Sequence, residues 1–294
     1  MHPDNSLPLP LMPFDLKTSR QTFRKLDRQI VKLGKDGSAA NIHNFRTTSR
    51  RVETILEEFC SDPDKNIRKL LKLLSLLRKK VGKVRDLEVQ TVSLKNLKIT
   101  RELGFKGQLI RGMNAEFTRR KKKFFKAFDE KTQGELRKRL KRVGEDFPVA
   151  QKLEPARVAL RSFVPSAGRQ QPLTQQTLHR YRIAGKKARY IAELGGKDPT
   201  AKELVADLKR MQDIIGDWHD WMQLSARAAG MFVEEKNSAL VAALRNIARA
   251  KFRNSLSIVA ETRQKLSAEA KAATSAGARK PPNSEAVAAA ASAA

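Results

Sequence analysis

Two segments of the sequence place one histidine and several basic residues at helical spacing. The residues that could bind a ligand there are His43, Arg46, Arg50, Arg51, His179, Arg182, Lys186, Lys187 and Arg189. Because an α-helix rises about 1.5 Å per residue, the first set extends along roughly 12 Å and the second along roughly 15 Å, a spacing that suits successive charges on a chain anion. Neither histidine has a His, Cys, Asp or Glu three or four residues away, which argues against metal binding and acid–base catalysis. We therefore interpret these residues as two basic stripes.

Each stripe has an apolar face on the opposite side of the same predicted helix. The apolar positions are Phe45, Val52, Ile55, Leu56 and Phe59 in the first segment, and Tyr181, Ala184, Ala188, Ile191 and Ala192 in the second. The stripes are therefore predicted to point away from the core. Basic residues on an exposed face are often only solvated charge, but like charges at this spacing cost roughly a few tenths of a kcal/mol per pair. Because the arrangement occurs twice, an anion-binding role is favoured.

The two stripes belong to an internal repeat. Six residues of the first half have a counterpart 136 positions later in the second half. The pairs are His43 and His179, Arg46 and Arg182, Arg50 and Lys186, Arg51 and Lys187, Asp62 and Asp198, and Pro63 and Pro199. Gly82 and Asp86 match Gly216 and Asp220 at an interval of 134 positions. We expect the proline to start the next helix in each half, that helix to end near its glycine, and each aspartate to cap the helix that follows. The alternative is that each aspartate holds a stripe residue in position.

The charge balance points to a polyanionic partner. The chain has 60 Lys plus Arg against 31 Asp plus Glu, a net charge of +29 and a sequence pI near 10.6. The one cysteine, Cys60, excludes an intramolecular disulfide framework and a thiolate zinc site. We find neither an export signal nor an apolar stretch of membrane-spanning length, so we expect a cytoplasmic protein that does not enter the membrane.

The residue pattern predicts an all-α protein, because helix-forming residues dominate long segments that contain little glycine or proline. We expect two tandem four-helix bundles related by a pseudo-two-fold axis, with the stripes lining a basic groove between them. The first bundle is predicted over residues 1–144 and the second over 174–273. Residues 145–173 are predicted to form a proline-containing connection with at most one short helix, and residues 274–294 a disordered tail rich in Ala, Ser and Pro.

A third basic segment, from Arg119 to Arg142, contains twelve basic and three acidic residues with phenylalanines among them. Aromatic side chains beside basic residues can stack on nucleobases. Phe117, Phe124 and Phe128 share helical spacing, however, so we assign them to the core and treat the surrounding charge as an extension of the polyanion surface.

The repeated pattern resembles the CHAD domain, the conserved histidine α-helical domain, over most of the chain. The resemblance is carried by His43 to Arg46 with Arg50-Arg51, Val81 to Val89, Leu178 to Tyr190, and Leu208 to Gly216. It implies two four-helix bundles around a basic cavity, inorganic polyphosphate as ligand and, in some members, association with polyphosphate granules. It assigns that ligand to the nine stripe residues. Glu53 stands where the family often has arginine and His219 matches Arg85 of the first half, so both are left out of the site.

Three functional classes follow. The leading hypothesis is non-catalytic polyphosphate binding through multivalent charge pairing, without a cofactor or a metal. The alternative is a nucleic-acid-binding protein that recognises RNA or DNA independently of sequence, although none of the usual recognition motifs is present. A polyphosphate-processing enzyme would need carboxylates that hold magnesium, whereas the stripes offer only donors. The Glu-x-Glu-x-Lys motif of the tunnel enzymes to which some CHAD domains are fused is also missing.

Overall fold

A computed structural model describes residues 16–60, 62–99, 103–145, 154–167, 172–233 and 238–278. The α-helices in these ranges are α1 (Leu16–Lys35), α2 (Ala39–Phe59), α3 (Lys65–Asn96), α4 (Leu103–Ala127), α5 (Glu130–Glu145), α6 (Pro155–Ala167), α7 (Gln175–Ala192), α8 (Pro199–Met231) and α9 (Ala239–Ala278). A short 3-10 helix, Glu193–Gly195, follows α7, and the described ranges contain no strand. The all-α prediction is confirmed. The predicted tail lies outside the described residues from position 279 onward.

Side-chain caps fix where α3 and α8, the equivalent helices of the two halves, begin. The side chain of Asp198 accepts a hydrogen bond from the backbone of Thr200 at 3.0 Å, and α8 starts at Pro199 as predicted. In the first half the cap is Asp64, which accepts from the backbone N–H of Ile67 at 2.7 Å. Helix α3 therefore begins two residues after Pro63, later than the repeat predicted.

Helices α3 and α8 run without interruption past the glycines at which we expected them to end. That prediction was wrong for both Gly82 and Gly216, which lie inside continuous helices. One glycine within a helix costs only about 1 kcal/mol relative to alanine. The apolar face of α3 continues on both sides of Gly82, with Val81, Val84 and Leu87 buried, and its packing outweighs that cost.

Helix contacts divide the described chain into two groups. In the first, α1 packs on α2 and α5, and α3 packs on the same two helices; in the second, α7 packs on α6 and α8, and α9 packs on the same two. Contacts of α2 with α7 and of α3 with α8 join the groups, while α4 packs along α3. Helix α6 lies in the segment predicted as a connection and packs on α7 and α9. A second apolar cluster, which includes Leu94, Leu109, Leu224 and Leu244, ties α3 and α4 to α8 and α9.

Helix α7 packs closely on α8 around a glycine. A Cβ atom at Gly185 would lie 2.5 Å from Cε of Met211, so the methionine side chain would have to move to admit it. The side-chain amide of Gln212 also donates a hydrogen bond to the carbonyl of Gly185 at 2.7 Å. Both contacts join α7 to α8. None of the described helices is both long and apolar enough to cross a lipid bilayer.

Candidate anion-binding site

The two stripes lie on α2 and α7, the helices that join the two groups. Their apolar faces are oriented as the helical wheels predicted. The core residues on these faces are Phe45, Val52, Ile55, Leu56 and Phe59 on α2, and Tyr181, Ala188, Ile191 and Ala192 on α7, while Ala184 is partly buried against the same core. The stripes thus point away from the apolar core, and part of each faces the other half of the molecule.

Four stripe residues form a half-buried cluster between the halves, which we call the inner cluster: Arg46, Arg50, Arg182 and Lys186. Burial, followed by the charges of Arg182, Arg50 and Arg46, lowers the pKa of Lys186 to about 6. Burial also lowers the pKa of Arg50 to about 10, with contributions from Arg78 and Arg46. Because α2 packs on α7 and the charges of Arg46 and Arg50 act on Lys186, these parts of the two stripes lie close together.

The inner cluster lacks enough acceptors of its own. The Nε atoms of Arg46, Arg50 and Arg182 are buried and donate to no acceptor within the described residues. Among these residues, Arg50, Arg182 and Lys186 have no carboxylate at ion-pair distance, whereas Arg46 has Asp86 at 3.5 Å. Buried donors and charges without partners are costly, and an anion would supply the missing acceptors.

Two carboxylates border the inner cluster. Asp86 lies within continuous α3 and Asp220 within α8, so the prediction that they cap helices was wrong and the alternative is supported. Asp86 pairs with Arg46. Burial, with a contribution from Asp86, raises the pKa of Asp220 to about 6 against the opposing charge of Arg182. Arg46 lies close to Gly82, since a Cβ at Gly82 would be in van der Waals contact with Nε of Arg46 at 3.4 Å.

The other three basic residues of the predicted site already have carboxylate partners. Nε of Arg51 donates to Glu193 at 2.6 Å, and Arg189 lies 3.8 Å from the same carboxylate, although its buried Nε makes no hydrogen bond within the described residues. Nζ of Lys187 lies 2.6 Å from a carboxylate oxygen of Glu58. We call these residues the outer set. Arg51 and Lys187 bridge α2 to the second half, which gives them a structural role that the inner cluster does not have.

The two stripe histidines lie at the exposed edge of the cluster. Burial, and then the charges of Arg85 and Arg46, lower the pKa of His43. The ring of His179 lies 5.9 Å from that of His219 on α8. The side-chain amide of Gln223 donates to Nε2 of His219 at 2.9 Å and accepts from Gln90 at 2.8 Å.

Sequence reasoning missed two residues at this site. His219 faces the cluster and has its pKa lowered to about 4, first by burial and then by Arg182, His179 and Lys186. Its place in the repeat, equivalent to Arg85, was the available signal. The charge of Arg78 helps to lower the pKa of Arg50, and Nε of Arg78 donates a hydrogen bond to the carboxylate of Glu53 at 2.5 Å. No sequence pattern distinguishes Arg78 from the other basic residues of α3.

The phenylalanines of the third basic segment belong to the core. Phe124 and Phe128 are 0% and 1% exposed, and their ring centroids lie 6.3 Å and 5.3 Å from that of Phe45. Phe125 is partly buried against the same cluster. Buried rings cannot stack on nucleobases, so only the basic side chains of this segment are available to a ligand.

Within the described ranges, one cluster of three carboxylate side chains could hold a metal ion. Glu203, Asp207 and Glu269 each offer an oxygen atom within 4.8 Å of the others. Nζ of Lys265 donates to Glu203 at 2.7 Å and lies 2.8 Å from Asp207. The lysine already supplies positive charge to two of the three carboxylates, and this group is distinct from the stripes.

Sequence comparison assigns the fold to a family. A family model described as the CHAD domain matches residues 18–229, which include both stripes and both aspartates. The chain belongs to the CHAD domain family. No curated protein sequence matches it.

Two solved structures share the CHAD fold of this chain. PptA from Streptomyces chartreusis superposes with a TM-score of 0.63 at 15% sequence identity, covering 85% of this chain and 96% of its own. The CHAD domain from the plant Ricinus communis gives a TM-score of 0.58 at 16% identity, covering 95% of this chain and 97% of its own. At these identities the similarity concerns the fold alone. The CHAD family is associated with polyphosphate, and this chain is a polyphosphate-related helical domain.

Proposed function

We propose that the chain binds inorganic polyphosphate non-covalently between α2 and α7. The observation that carries the proposal is the inner cluster, in which buried guanidinium Nε atoms and the amino group of Lys186 lack acceptors among the described residues. Arg46, Arg50, Arg182 and Lys186 would contact the phosphate chain, and His43 and His179 would extend the contact toward the edge of the cluster. Membership of the CHAD family supports polyphosphate as the anion.

Binding would rest on many simultaneous charge contacts. Each guanidinium can donate two parallel hydrogen bonds to one phosphate group, and the ammonium can serve as a point charge. A polyphosphate that enters the cluster releases condensed counterions, which makes the affinity depend on salt. Because the stripes come from two halves of the chain, one polyanion would contact both and stabilise their mutual packing.

The proposal includes no chemical step on the ligand. Asp86 and Asp220 lie beside basic residues of the same cluster, so their charges serve to balance those cations. Such a module would act by concentrating the chain on long polyphosphate, and we expect it at polyphosphate granules in cells.

The test is a titration of fluorescently labelled long-chain polyphosphate at about 0.15 M salt, with and without excess RNA. The double variant Arg46→Ala/Arg182→Ala should lose at least roughly a hundredfold in affinity, since each change removes a charge-assisted contact worth about 1.5–3 kcal/mol. The control is Lys202→Ala/Lys209→Ala, which removes the same charge from exposed positions of α8. Its affinity should change less than threefold.

Two outcomes would overturn the proposal. Displacement of polyphosphate by RNA at equal charge concentration would show a general polyanion surface and support the nucleic-acid alternative. Equal losses in the inner-cluster variant and the control would show that net charge, and not the inner cluster, determines binding. Turnover of polyphosphate in the presence of magnesium or manganese would contradict the non-catalytic part.

A further inference from the structure

A second basic feature lies on the far side of the first helix group. The exposed faces of α1 and α5 border an open groove with a volume of about 800 Å³. The two helices run antiparallel, since Asp27 of α1 accepts from Arg137 of α5 at 2.8 Å while Gly34 lies beside Gln133. The groove is distinct from the inner cluster, because its lining residues lie on α1 and α5, whereas those of the inner cluster lie on α2 and α7.

The rim of the groove is strongly basic. Six exposed side chains line it: Arg20, Arg24 and Arg28 at four-residue spacing on α1, and Arg137, Lys138 and Lys141 on α5. Two carboxylates, Asp27 and Glu145, are also present, which leaves a net charge of +4 on the groove. Like charges four residues apart destabilise a helix without a partner, so the α1 stripe is arranged for an acidic ligand.

The floor of the groove is apolar. Phe23 and Leu140 lie beneath the basic side chains and are 3% and 2% exposed. Above them, the aliphatic stems of arginine and lysine side chains cover the walls while their charged heads reach the rim. Because Phe23 and Leu140 are covered, the apolar surface that a ligand meets is that of the aliphatic stems, and a ligand that fits must combine an apolar surface for these walls with negative charge for the rim.

We propose that the groove between α1 and α5 binds an acidic amphipathic helix of a partner protein. Such a helix would lay its apolar face between α1 and α5 and direct its carboxylates to Arg20, Arg24 and Lys141, in the manner of other helix-in-groove complexes. The stripe from Arg20 to Arg28 extends about 12 Å at 1.5 Å per residue, which corresponds to two or three turns of a bound helix.

A polyanion fits the groove less well than a helix does. Polyphosphate has no apolar part to cover the aliphatic stems of the basic side chains that line the groove. Nucleobases would need an exposed ring for stacking, whereas Phe23 is buried. The aliphatic walls beside a basic rim therefore favour an acidic peptide with an apolar face, and this inference does not depend on the function proposed for the inner cluster.

The experiment uses a synthetic peptide of about 18 residues with leucines on one helical face and glutamates on the other. A second peptide has the same composition with the leucines spread around the helix. Fluorescence anisotropy with the full chain should show at least tenfold tighter binding of the amphipathic peptide. Arg24→Glu/Lys141→Glu should weaken that binding at least tenfold, and Lys202→Glu/Lys209→Glu, with the same charge change on α8, less than twofold.

Further measurements distinguish peptide binding in the groove from polyphosphate binding at the inner cluster. Arg46→Ala/Arg182→Ala should leave peptide binding unchanged, whatever it does to polyphosphate. Circular dichroism should show native helicity for every variant, because all substituted groove residues are exposed. Equal binding of the two peptides, or equal effects of the two charge-reversal pairs, would overturn the proposal. Loss of polyphosphate or RNA binding in the groove variant, without peptide binding to the parent chain, would assign the groove to the polyanion surface instead.

Discussion

The guanidinium of Arg46 lies 3.5 Å from the carboxylate of Asp86, and its Nε atom would lie 3.4 Å from a Cβ atom at Gly82, in van der Waals contact. A side chain larger than that of alanine at position 82 would therefore compete with Arg46 for space. A Cβ atom at Gly216, the equivalent glycine of the second half, would have no neighbouring side chain within 4 Å. Two glycines at matching places in the repeat therefore have different roles.

This difference predicts opposite results for two substitutions. Gly82→Leu should displace Arg46 and weaken polyphosphate binding at least tenfold. Gly216→Ala should leave binding unchanged and raise the free energy of unfolding by about 0.5–1 kcal/mol, because alanine is the better helix former. Chemical denaturation and polyphosphate titration of both variants measure the two effects. Normal affinity in folded Gly82→Leu would contradict the placement of Arg46 in the site.

Polyphosphate affinity should fall as the pH rises from 6 to 8. Without ligand, burial and neighbouring cations lower the pKa of Lys186 to about 6, and burial raises the pKa of Asp220 to about 6. A bound polyanion stabilises the protonated form of both groups, so binding takes up protons in this range. Each proton taken up contributes at most about tenfold in affinity per pH unit. The measurement is a polyphosphate titration at each pH and at matched ionic strength. An affinity that stays constant from pH 6 to 8 would contradict the prediction.

Lys186→Met should stabilise the free protein while it weakens polyphosphate binding. The pKa of Lys186 is lower in the folded than in the unfolded chain, so the unfolded chain binds the proton more tightly. The stability of the parent protein is therefore lost as the pH falls from about 10 toward 6, at up to about 1.4 kcal/mol per pH unit. Thermal unfolding between pH 7 and 9 should show a smaller pH dependence for the variant. An unchanged pH dependence would show that Lys186 is solvated in solution.

Local periodicity predicted which side of each stripe helix enters the core. Phe45 and Arg46 are adjacent in the sequence, and the helical wheel correctly placed Phe45 in the core and Arg46 outside it. Periodicity could not predict that α3 continues past Gly82, because the packing that compensates for the glycine involves other helices. Nor could it indicate that Asp86 would pair with Arg46, a contact between residues forty positions apart.

The division of the basic residues into two sets was also beyond the sequence. Arg50 and Arg51 are neighbours with the same chemistry, and the sequence placed both in the site. Arg51 differs only because Glu193, 142 positions away, lies at hydrogen-bond distance. Lys186 and Lys187 differ in the same way, through Glu58. Partner carboxylates at such separations cannot be read from helical spacing, and assignment of all nine residues to the ligand remains a prediction.

The neighbouring arginines offer a test of that assignment. Arg50→Ala removes an arginine of the inner cluster and should weaken polyphosphate binding at least tenfold. Arg51→Ala breaks the ion pair with Glu193, so it should lower the free energy of unfolding by about 1 kcal/mol and change affinity less than threefold. The two variants have equal net charge, which makes each the control for the other. Equal losses of affinity would show that polyphosphate displaces Glu193 from Arg51, and that the outer set contacts the ligand as the family resemblance implies.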